Sequence, residues 1–112
     1  MSHITAEELF DRVYGILTSA DGTSANRMMH ETLVLACHAG IKDTEQAFGN
    51  IFSQVDFLCK RCRVSASDKY AIQSMRRHSN HGTPLSREDL LYDARALCLF
   101  ISAVFNTPVP SH

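Results

Sequence analysis

The feature that most restricts the fold of this chain is one apolar stripe. Phe48, Ile51, Phe52, Val55, Leu58, Cys59 and Cys62 recur at three- and four-residue intervals. That spacing gathers side chains on one face of an α-helix, whereas a half-buried strand would alternate. A helix with one apolar face has to bury it against other elements. Breakers are scarce, with five Gly and three Pro in 112 residues, so those elements are expected to be helices as well.

The rest of the chain supplies them. Thr5 with Glu8 forms a capping box, Ile4 and Leu9 stand as its hydrophobic staple, and Leu9, Phe10, Val13, Ile16 and Leu17 follow at helical spacing. After a turn over residues 19–22, Ser24 is the expected cap of a second helix. Its inward face holds Met29, Leu33, Ala36 and Cys37, and Gly40 stops it. Asp43 with Gln46 opens the third helix, which carries the stripe. A fourth starts at Ser65 or Ser67, turns Ala71, Ile72 and Met75 inward, and ends over residues 78–82 before Thr83-Pro84. The fifth is capped by Ser86 with Asp89, stapled by Leu85 and Leu90, and packs through Ala94, Leu97, Cys98, Ile101 and Phe105. Leu91, Phe100 and Val104 widen its apolar sector, which predicts a central position.

The expected architecture is therefore all-α, an antiparallel bundle of four to five helices joined by short loops. Residues 1–105 form a single domain. Residues 106–112 read as a linker-like tail toward further domains of the same polypeptide.

A hydrophobic fraction of 45% and a charged fraction of 21% argue against a disordered chain. The N-terminus has no basic and apolar signal pattern, and the longest apolar stretch, residues 94–105, is too short to span a bilayer and contains Arg95. These features lead to the expectation of a cytoplasmic protein with no membrane contact. Cys37, Cys59, Cys62 and Cys98 are accordingly read as reduced thiols.

Charge is distributed unevenly. Lys60, Arg61, Arg63, Lys69, Arg76, Arg77 and Arg87 face only Asp68 as an acid within residues 60–87, a local charge of +6, against −7 for the remainder. A solvated face paired with acidic neighbours accounts for this as well as an anionic partner, RNA or DNA, does.

Cys59-Lys60-Arg61-Cys62 is a CxxC, and His78 and His81 follow it, so zinc has to be considered. Both cysteines lie on the helical stripe rather than in a tight turn, which favours buried thiols. No metal or other cofactor is expected. Phosphate-binding loops, nucleophile elbows and metalloprotease motifs are absent from the sequence.

Met75-Arg76-Arg77-His78-Ser79-Asn80-His81-Gly82 gathers two guanidiniums and two imidazoles at a helix end. Arg77 and His81, four residues apart, share a face. Arginine clamps phosphate and histidine moves protons, which together suffice for metal-free RNA cleavage. A basic helix terminus that complements the macrodipole uses the same residues without any ligand.

With Arg76-(x4)-His81-Gly82 followed by a turn and a closing apolar helix, the chain resembles the HEPN superfamily, in its accessory-domain branch. The likeness extends over residues 43–105 in pattern and over the short Arg-to-Gly stretch in identity. It implies a four- or five-helix bundle with Arg76 and His81 as site residues. It further implies either a metal-independent endoribonuclease completed across a homodimer, or a module that has lost catalysis and binds RNA or assembles proteins. Arg77 departs from the small polar residue usual after the motif arginine, which bears on cleavage more than on binding. Residues 52–80 are also similar to N-terminal regions of some large bacterial helicases. The expected contacts with nucleic acid are Lys60, Arg61, Arg63, Lys69, Arg76, Arg77, His78, Asn80 and Arg87. A protein-binding scaffold whose basic face meets an acidic partner is the remaining expectation.

Overall fold

Side-chain caps set where the helices of this computed structural model begin. Residues 4–19, 22–41, 49–82 and 84–110 are described. Helix α1 (Ala6–Ser19) starts where Thr5 Oγ1 accepts the Glu8 N–H at 3.2 Å, and the Thr5 hydroxyl donates in turn to Glu8 Oε1 at 3.2 Å. Helix α2 (Gly22–Gly40) begins earlier than expected, so Ser24 lies inside its first turn rather than at its cap. First-turn N–H groups have no intrahelical acceptor, and a serine is accommodated there as well as one step outside.

Helix α3 (Ile51–Arg61) is capped by Asn50, whose side chain accepts the Ser53 N–H at 2.8 Å. The expected opening at Asp43 and Gln46, and Phe48 of the stripe, lie outside the described residues. Val55, Leu58 and Cys59 are buried as the stripe requires, but Phe52 is 51% exposed. It sits in the first turn of α3, past the depth of the core, and its ring serves a guanidinium instead.

Helix α4 (Ala66–His81) takes Ser65 rather than Ser67 as its cap, accepting the Asp68 N–H at 3.2 Å. Gly82 ends it in the left-handed region, at φ 65°, where its N–H returns to the His78 carbonyl. Helix α5 (Arg87–Phe105) has the expected cap, Ser86 Oγ accepting the Asp89 N–H at 3.1 Å. Asn106 closes it in the left-handed conformation.

Among the described residues the protein is a bundle of these five helices. Helix α5 packs on each of the other four, in keeping with its wide apolar sector, and so does α2. Phe100, Leu97 and Ile101 of α5 meet Leu9, Ile16, Met29, Leu33, Leu58, Ile72 and Met75 in one fully buried core. Each such side chain contributes about 1.5–3 kcal/mol of transfer free energy. No helix among the described residues is long and apolar enough to cross a membrane. The tail stays on the bundle at least to Pro110. Thr107 N–H bonds the Ser102 carbonyl at 3.1 Å, and Val109 with Pro110 lies along an apolar groove formed by Val13, Leu17 and Cys98.

Candidate nucleic-acid interface

The basic residues of segment 60–87 divide by what they touch. Two of them secure the ends of other helices. Arg61 donates to the Gly40 carbonyl at 2.7 Å, and Arg87 donates to the Leu17 carbonyl at 2.7 Å. Carbonyls in the last turn of a helix lack intrahelical donors and carry the negative end of its dipole, so a guanidinium there satisfies both needs. Lys60 and Lys69 share one carboxylate, Asp56, with Lys60 at 3.1 Å. Hydrogen bonds from Lys69 and then Lys60 hold the Asp56 carboxyl below the usual range.

Arg63, Arg76 and Arg77 have no carboxylate partner among the described residues. Arg63 is exposed in the α3–α4 link at φ 58°. Arg76 Nε donates to Gln73 Oε1 at 2.6 Å, and its guanidinium carbon lies 5.3 Å from the centroid of the Phe52 ring. Partial burial, and then the charge of Arg77, lower its proton affinity. Gln73 in turn donates to the Phe52 carbonyl at 3.3 Å, a second tie between α3 and α4 at that residue. Arg77 is exposed and donates to Ser74 Oγ at 3.3 Å.

Helix geometry decides which of these groups can act together. Successive residues of α4 advance about 100° around its axis, so Arg76 and His81, five apart, point about 140° away from each other. Arg77 and His81, four apart, diverge by only about 40° and share the outer face. Tyr70, 71% exposed, lies two turns before Arg77 on that same face. Both Asn80 and His81 are exposed. Asn80, four residues after Arg76, follows it about 40° around the axis.

His78 marks the opposite border, toward α5. Its Nδ1 lies 2.9 Å from Asp93 Oδ2 on α5, with the histidine side chain 36% exposed and the aspartate 3%. Burial pushes the Asp93 carboxyl up, and the hydrogen bond from His78 opposes that shift. The neighbouring Ser79 is buried, with its hydroxyl on the Arg76 carbonyl.

Asp93 is the residue that sequence reasoning missed. A signal was present: Asp93 falls three after Leu90 and four before Leu97, in register with the buried side of α5. An acid on that stripe needs a partner inside. His78 is that partner.

Cys37 and Cys59 are buried, and desolvation pushes their thiols up to about 12 and about 11. Among the described residues no three His, Cys, Asp or Glu side chains converge as a metal site. The chain matches no protein-family model, no curated protein and no solved structure.

Proposed function

We propose that this chain is a HEPN-like helical accessory module of a larger nucleic-acid-processing protein, such as a helicase. It contacts RNA or DNA through the outer face of α4 and its border with α3. The observation that carries this reading is that Arg63, in the α3–α4 link, and Arg76 and Arg77, on α4, have no carboxylate on any of them among the described residues. An internal ion-pair network would have consumed that charge. The exposed Tyr70 adds a ring on which a base can stack. A reducing cytoplasmic setting agrees with four free thiols.

Anisotropy of a labelled single strand, RNA or DNA, titrated at several salt concentrations is the direct test. Three phosphate contacts correspond to a log–log slope of about −2 for single strands. Arg77→Gln should flatten that slope and weaken binding to all sequences alike. Affinity that ignores salt rejects the reading.

A second reading, cleavage by Arg76 and His81, draws support from the exposure of His81 and from Arg76 having no carboxylate partner among the described residues. Their separation around α4 means that a second copy of the chain would have to complete the site. A stable symmetric dimer without nucleic-acid affinity would favour a protein-interaction scaffold instead.

A further inference from the structure

We infer that the groove between α1 and α5 binds an amphipathic carboxylate, a free medium-chain fatty acid whose alkyl chain lies along the groove and whose head pairs with Arg95. The inference is independent of the nucleic-acid reading, since α1 touches neither α3 nor α4 among the described residues.

The groove exists because α1 and α5 present more apolar surface than their contact covers. Two adjoining hollows of about 410 and 320 Å³ lie along the seam. Both are lined by Val13, Leu17, Cys98 and Val109, so they are halves of one trough. Clefts of this size with an apolar lining and few polar groups are the usual form of a small-molecule site. Val109 of the tail borders both halves and fills neither, remaining 42% exposed. Along α5 the larger hollow runs from Leu91 to Leu99, a length of about 12 Å at the helical rise. That elongated shape suits an extended alkyl chain better than a compact ring. Leu91 is 46% exposed at its edge, and covering such surface is favourable for any apolar occupant.

Charge selects the head of the ligand. Among the described residues that line the trough, Arg95 alone is charged, and no carboxylate borders either hollow. Arg95 is exposed, and it lies four residues after Leu91 and four before Leu99, on the same face. It has no hydrogen bond or ion pair among the described residues. An apolar trough with one unpaired guanidinium at its mouth fits a ligand with an apolar body and one anionic head. The guanidinium fork matches the two oxygens of a carboxylate. An alcohol of the same length gains only the apolar part, and a cationic amphiphile is repelled. The bound chain lies against Cys98, whose half-buried thiol reports occupancy.

The test titrates the 112-residue chain by calorimetry with dodecanoate, dodecanol and dodecyltrimethylammonium, each below its micelle-forming concentration. Dodecanoate should bind saturably and tightest of the three. It should slow the alkylation of Cys98 by iodoacetamide, read by mass spectrometry, and leave that of Cys62 unchanged. Arg95→Gln should weaken dodecanoate by about tenfold, the usual worth of a hydrogen bond to a charged group, with dodecanol unaffected. Leu91→Glu should abolish dodecanoate binding, because the new carboxylate pairs with Arg95 one turn away and charges the trough. If circular dichroism shows Leu91→Glu unfolded, the exposed Arg95→Gln and the Cys98 readout decide. Equal affinity for the three amphiphiles, or Arg95→Gln binding dodecanoate like the parent, overturns the inference. So does unchanged Cys98 alkylation, uptake of the chain by anionic vesicles without dodecanoate binding, or a dimer that shields Cys98 with no amphiphile present.

Discussion

Replacing Gly40 by alanine probes how closely three helices meet at the end of α2. An added Cβ would stand 2.6 Å from Val104 Cγ1 on α5, and 3.2 and 3.3 Å from the two δ-carbons of Leu58 on α3. Carbons in contact prefer about 3.5–4.0 Å, so Val104 has to yield roughly 1 Å. Valine is stiff at χ1, and Leu58 behind it is fully buried. Overpacking of this kind costs about 1–3 kcal/mol. Against it, exchanging glycine for alanine in a helix returns about 0.5–1 kcal/mol. The net expectation is a loss of about 1–2 kcal/mol, and about 4–8 °C in Tm for each kcal/mol at this chain size. Urea melts followed by circular dichroism would measure it, alone and combined with Val104→Ala. Val104→Ala removes the clashing methyl, so the double variant should be more stable than the sum of the singles by about 1 kcal/mol. A Gly40→Ala protein that melts higher than the parent, or a strictly additive cycle, would refute the reasoning.

Asp56→Asn tests the shared carboxylate. Because the folded value of Asp56 lies below its unfolded one, its stabilisation is present above about pH 4 and is lost as pH falls through the folded value. The parent should therefore exceed Asp56→Asn by less than about 1 kcal/mol at neutral pH, and the gap should close in acid urea melts. Gly82 stands at φ 65°, where a Cβ meets no atom but the backbone is unfavourable for other residues. Gly82→Ala should cost about 1–2 kcal/mol and Gly82→Asn less, since Asn tolerates the left-handed region; equal melting temperatures would contradict this.

Much of the fold was legible because its determinants are local. Caps at Thr5 and Ser86, and the inward sets Met29–Leu33–Ala36–Cys37 and Ala71–Ile72–Met75, depend only on residues within a few turns of each other. Phe52 was misplaced for the opposite reason. Its periodicity points inward, but the start of α3 at Asn50 leaves it in the first turn, where α4 offers a guanidinium rather than a core. The charge on segment 60–87 was visible, but its division was not. Arg61 and Arg87 reach carbonyls 21 and 70 residues away, and no local pattern announces such contacts. At the candidate site, Arg76 and His81 were legible as a motif, whereas the angle between them needed only the helical repeat. Asp93 was hidden because an acid in a helix is ordinarily read as solvated.

Helix α4 is gripped along both of its long edges. On one side Gln73 and Arg76 lock onto Phe52, and on the other His78 locks onto Asp93. A cylinder held at two such rails can shift lengthwise or flex, but it cannot roll without releasing one of them. The azimuth of Tyr70, Arg77 and His81 is therefore indexed to α3 and α5 rather than left to the oily packing beneath. Enlarging or shrinking Ile72 or Met75 would then cost stability without re-aiming that outer row.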